Sequence, residues 1–108
     1  MMSKSQITIN PVTPGEILLE EFLKPLGLSA RKLALHIDLP PNRITEIIRG
    51  RRRITADTAI RLGIAFGTTP DFWLNLQKHF DLEVEKDRLS QQAGWDDFGR
   101  IVEIEENA

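Results

Sequence analysis

Apolar positions along this chain recur at the three- and four-residue spacing of helices facing a core, and five segments show it in succession. In "TPGEILLEEFLKPLG", Leu18, Phe22 and Leu26 form an i, i+4 stripe, with Glu20 and Glu21 on the wet face. Thr13 is the expected N-cap, Pro14 takes the first helical position and Glu16 completes a capping box. Pro25 is expected to end this helix just before Leu26, because proline removes a backbone donor and its ring meets the preceding turn. "LSARKLALHIDLP" follows, with Ser29 as cap and Ala30, Leu33, Ala34 and Ile37 on one face. Asp38 then suits a left-handed turn position, which few residues other than glycine accept.

The third segment, "PPNRITEIIRG", has Pro41 in its first turn, Ile44, Ile47 and Ile48 as its buried stripe, and Gly50 just past its end. "ITADTAIRLGIAFG" is capped by Thr55, turns Ala59, Leu62 and Phe66 inward and closes on Gly67. In "TPDFWLNLQKHFDLEVEKD", Thr69 caps, Pro70 starts, Asp71 favours the positive helix end, and Trp73, Leu76 and Phe80 lie inward. The helical signal weakens after Asp87, and "RLSQQAGW" is expected to be a loop. "QITI" near the start and "RIVEIEEN" near the end alternate apolar and polar residues, so each is a candidate short strand. The expectation is an all-α, five-helix domain over residues 1–88, followed by a tail at 89–108 that serves dimerisation or a partner.

Composition narrows the functions. The chain has 108 residues and no cysteine, which excludes a disulfide scaffold, a thiolate metal site and a cysteine nucleophile. No apolar h-region opens it and no run approaches a membrane span of ~20 residues, so a cytoplasmic protein is expected. Enzyme signatures are missing: no Gly-rich phosphate loop, H-E-x-x-H or nucleophile elbow occurs. His36 and His79 read as surface or satisfied helical residues. Asp96, Asp97 and the "EVEKD" acids read as solvated. No catalytic residue, metal or cofactor is expected.

Charge is unevenly distributed. The net charge is −2, yet residues 1–53 carry nine Lys+Arg against five Asp+Glu, and residues 54–108 carry five against eleven. Five arginines fall within "PPNRITEIIRGRRRIT": Arg43, Arg49, Arg51, Arg52 and Arg53. The second and third segments are joined by a tight turn, the layout of a helix-turn-helix over about residues 29–49. Ala34 is small enough for a close helix crossing, and Leu39 fills the turn from below. A recognition helix enters the major groove with its N-terminal residues on base edges, where Asn pairs with adenine, Arg with guanine and Glu with cytosine. Asn42, Arg43, Thr45 and Glu46 are therefore the expected base readers. Arg31, Lys32, Arg49, Arg51, Arg52 and Arg53 are the expected phosphate contacts, giving affinity more than sequence choice.

"NRITEIIRGRRRITADTAIRL" followed by "GTTPDFWLNLQKHFDL" resembles the HigA-type antitoxins, a branch of the XRE, λ-repressor-like helix-turn-helix family. "NPVTPGEIL" fits the same resemblance, which spans about Pro11 to Leu82. It implies a homodimer that binds a palindromic operator, represses its own operon and neutralises a HigB-type ribosome-dependent mRNA endonuclease. Ala30 and Asp38 depart from the family's usual Gln and Gly. The competing expectations are a module whose main task is to bind a basic toxin through its acidic half, and a stand-alone phage-type repressor without a toxin.

Overall fold

A computed structural model of the chain describes residues 10–101. Five helices form among them. The first, α1, begins with an α-helical turn at Pro14–Ile17, widens into π-type turns at Leu18–Leu23 and ends at Lys24–Leu26. The others are α2 at Ala30–His36, α3 at Pro41–Ile48, α4 at Ala56–Phe66 and α5 at Pro70–Ser90. "QITI" and most of "RIVEIEEN" lie outside the described residues.

Helix starts obey local hydrogen-bond chemistry. The Thr13 hydroxyl accepts from the Glu16 N–H at 3.1 Å while the Glu16 carboxylate accepts from the Thr13 N–H at 3.0 Å, so two free donors are satisfied reciprocally. Ser29, Thr55 and Thr69 cap α2, α4 and α5 through their hydroxyls. Pro40 precedes α3 without a side-chain cap.

Pro25 does not end α1 as expected. The helix runs through it to Leu26, and the Lys24 N–H reaches back five residues to the Leu19 carbonyl. These wider turns displace the carbonyl row that a proline ring meets in an α-helix. They also reset the apolar face. Leu18 and Leu23, five apart, are fully buried, Phe22 is half-buried, and Leu26, expected inward, is exposed.

The core joins Leu18 and Leu23 to Leu33, Ala34, Ile44, Ile47, Ile54, Ala59, Leu62 and Trp73. Burial of aliphatic and aromatic side chains at about 1.5–3 kcal/mol each is the main term holding the helices together. Trp73 lies 4.9 Å, centroid to centroid, from both Phe22 and Phe72, and its indole N–H donates to the Thr68 hydroxyl at 2.7 Å. Trp73 is thus core, with its neighbour Phe72 at the core's edge. Beyond the expected fading at Asp87, α5 continues to Ser90 before turns lead to Gly99.

Gly15 sets how α1 meets α3. A Cβ on it would lie 2.0 Å from the Ile47 carbonyl oxygen and 2.7 Å from the Ile48 Cα. Only a glycine lets the two backbones come so close, and this contact fixes α3 on the core from behind.

Candidate nucleic-acid interface

The turn between α2 and α3 is built from backbone bonds. The Leu39 N–H donates to the Ala34 carbonyl at 2.8 Å and the Asp38 N–H to the Leu35 carbonyl at 3.2 Å. This doubly bonded helix ending needs a left-handed residue, and Asp38 supplies it with φ 64°. Leu39 is buried, as expected for the residue under the turn, and Ala34 is fully buried at the crossing. Arg61 of α4 locks the turn from the far side. Its Nη1 donates to the Ile37 carbonyl at 2.7 Å while its Nε donates to Asp57 at 2.9 Å.

On α3, burial of Ile44 and Ile47 turns the opposite face outward. Asn42 and Arg49 are exposed there, and Arg43, Thr45 and Glu46 are half-buried. All four expected base readers therefore lie off the buried stripe of one short helix. Arg31 and Lys32 are exposed on α2.

The helix ends by the same doubly bonded device as α2. The Gly50 N–H donates to the Ile47 carbonyl at 3.0 Å, the Arg51 N–H to the Glu46 carbonyl at 2.9 Å, and Gly50 has φ 74°. The chain is folded back, and the three consecutive arginines part company. Arg52 Nε donates to Glu46 Oε1 at 2.8 Å. Asn42 Nδ2 donates to the other oxygen of the same carboxylate at 3.4 Å. Arg53 turns to α5, where its guanidinium donates to both oxygens of Asp81 at 2.7 and 3.4 Å. Arg43, Arg49 and Arg51 make no side-chain ion pair among the described residues.

Asp81 belongs to a small network. Buried Gln77 donates to Asp81 at 3.0 Å, and its carbonyl oxygen accepts from the buried Ile54 N–H at 2.8 Å. The hydrogen bond from Arg53 holds the Asp81 carboxyl below its ordinary value; burial opposes it, and the Gln77 hydrogen bond adds a smaller push in the same direction as Arg53. Arg53 is raised correspondingly. Thr13, Gly15, Ile47, the three arginines, Gln77 and Asp81 line a cleft of about 290 Å³ between α1, α3 and α5.

Sequence reasoning missed Arg61, Gln77, Asp81 and Gly15. Each acts on a residue 23 or more positions away, so no local spacing announces it. His36 and His79 are exposed, and among the described residues no group of three His, Cys, Asp or Glu is placed to hold a metal. Among the same residues no helix is long and apolar enough to cross a membrane.

The helix-turn-helix family profile matches residues 19–73. Virulence-associated protein I of Dichelobacter nodosus is 52% identical over 80 residues, covering 73% of this chain and 74% of that protein. The fold is similar to an addiction module antidote protein of a HigA family from Coxiella burnetii, at 48% identity and TM-score 0.72, covering 77% of this chain and 90% of that one. It is also similar to Pseudomonas aeruginosa antitoxin HigA solved with the higBA promoter, at 38% identity and TM-score 0.74, with the same coverage.

Proposed function

The chain belongs to the XRE-like helix-turn-helix family that includes the HigA antitoxins, and from that premise we propose that it is an antitoxin that binds operator DNA and represses its own operon. In this reading the chain acts as a homodimer on a palindromic site. Each α3 enters a major groove, with Asn42, Arg43, Thr45 and Glu46 toward base edges. Arg49 and Arg51, with Arg31 and Lys32 from α2, meet phosphates and supply the salt-dependent part of binding. The observation that carries the reading is the outward face of α3, polar along its length with Arg43 in its first turn and Arg49 at its end, both without an ion-pair partner among the described residues, as is Arg51 beyond it.

The same reading includes neutralisation of a HigB-type mRNA endonuclease by direct binding. The acidic second half supports it: Glu83 and Glu85 are paired within α5 to Lys86 and Arg88, but Asp87 and the Asp96–Asp97 pair beyond the helix make no ion pair among the described residues and would steer a cationic ribonuclease.

Footprinting on the DNA upstream of its own gene tests the first part. Two protected half-sites about one helical turn, ~34 Å, apart are expected. Absence of protection, or a single unpaired site, refutes the dimeric operator. Changing Arg49 and Arg51 together to Ala is expected to weaken all sequences alike and to flatten the salt dependence by about 0.9 in log–log slope per lost contact. An unchanged slope refutes the phosphate assignment. Co-expression with the product of the adjacent gene tests the second part: a ribonuclease that does not co-purify and stays toxic rules it out.

A further inference from the structure

The three arginines that follow α3 are identical in type and adjacent in sequence, but Arg52 is bound to the helix itself. We propose that Arg52 is a positioning residue for base reading: it neutralises Glu46 and, through that carboxylate, sets Asn42, in place of gripping a phosphate. The proposal rests on the DNA-binding reading above and gives Arg52 a role other than the phosphate contact expected from the sequence.

Three observations carry it. Arg52 reaches Glu46 through Nε at 2.8 Å, and Glu46 receives Asn42 on its second oxygen at 3.4 Å, so the three side chains form one chain of hydrogen bonds along the outward face of α3. The placement is backed by the main chain. The Arg51 N–H bonds the carbonyl of the same Glu46, so the Gly50 turn that ends the helix also delivers Arg52 to the Glu46 side chain. Lastly, Glu46 is the one acid on α3, a negative charge on a face meant for a polyanion.

The consequences follow from elementary electrostatics. A carboxylate carried unpaired toward phosphates loses hydration and gains repulsion. With Arg52 in place the pair is neutral, and the lone pairs left on Glu46 can still accept from a base. Asn42, donating one amide hydrogen to Glu46 across a long 3.4 Å bond, is biased toward one amide orientation before DNA arrives. Ordering side chains in the free protein lowers the entropy cost of binding.

The test is a double-mutant cycle on operator binding with Arg52→Ala, Glu46→Gln and both together, read by fluorescence anisotropy and by base preference at each operator position. Arg52→Ala is expected to weaken operator binding at least tenfold with Glu46 present and less than twofold in the Glu46→Gln background. Arg52→Ala and Glu46→Gln should alter preference at the same base pair, and Arg52→Lys should recover most of the affinity by restoring the charge. A coupling of fivefold or more supports the assignment and anything smaller overturns it. Equal losses in both backgrounds with a flatter salt slope would make Arg52 a phosphate contact. In the free protein, the Arg52 Nε–H resonance should shift and exchange faster in Glu46→Gln, and no change there overturns the pairing without reference to DNA. A wild-type protein that binds no fragment upstream of its gene defeats the DNA-binding reading and this assignment with it. A wild type that binds while the cycle shows no coupling defeats the assignment alone.

Discussion

Replacing Gln77 by Leu tests whether the arginine turn is held by α5. Gln77 is only 6% exposed, and its carbonyl oxygen is the acceptor for the buried Ile54 N–H at 2.8 Å. Leucine has similar bulk, so packing changes little, but the Ile54 N–H loses its partner while staying shielded from solvent. An orphaned buried donor costs about 1–3 kcal/mol. In a domain of this size 1 kcal/mol moves Tm by about 4–8 °C, so a fall of roughly 8–16 °C is expected for a loss of about 2 kcal/mol. Gln77→Glu separates the causes. Its carboxylate still accepts from Ile54 but faces Asp81 one helical turn on, so this variant is destabilised at neutral pH and recovers as one of the two acids is protonated. Gln77→Leu shows no such recovery. The assay is thermal unfolding by circular dichroism at fixed protein concentration across pH, because assembly makes Tm concentration-dependent. A Gln77→Leu protein melting within about 2 °C of wild type, a change of less than ~0.5 kcal/mol on the same scale, would refute the argument.

Gly15→Ala is expected to destabilise by about 1–3 kcal/mol or more, since its methyl would strike the Ile47 and Ile48 backbone and the helices must part; a neutral effect in chemical denaturation contradicts the close approach. Asp81 is held below its ordinary value by Arg53, so its contribution is present above the unfolded carboxyl range and lost as pH falls through the lower folded value. Because the pair is well exposed, this contribution is at most about 1 kcal/mol. Asp81→Asn should remove that part of the acid-side slope of stability, and an identical slope in the variant contradicts the assignment.

What was legible in the sequence was local. Thr13 and Glu16 bond each other across three residues, and Ser29, Thr55 and Thr69 cap within one turn, so the residue types announce the starts. The 3.6-residue period placed Ile44, Ile47, Ala59, Leu62 and Trp73 in the core for the same reason. The Pro25 expectation failed because it applied an α-helical rule to turns that are π-type, and the period error carried Leu26 with it. At the candidate interface, the outward face of α3 followed from its buried stripe. The fate of each arginine did not: Arg49, Arg51, Arg52 and Arg53 look alike in sequence, and only tertiary structure shows two of them bound. The partner of Arg53 lies 28 residues away, on the far side of α4 in sequence.

That sorting changes what the charge asymmetry means. By composition, the run from Pro40 to Thr55 stands largely in a basic half set against an acidic half. The fold crosses the two. Asp81, from the acidic half, neutralises Arg53, and Gln77 beside it fixes the backbone of Ile54 immediately after the arginines. Glu46 neutralises Arg52 from within the basic half. Among the described residues, the positive charge left without an ion pair on and after α3 sits on Arg43, Arg49 and Arg51, at the helix's first turn and its end. On the DNA-binding reading proposed above, Arg49 and Arg51 are left to meet phosphates and Arg43 to meet a base edge, while the Glu46–Arg52 pair offers hydrogen-bonding groups without net charge. On that proposal affinity and discrimination fall to different arginines of one run, a division that net charge conceals.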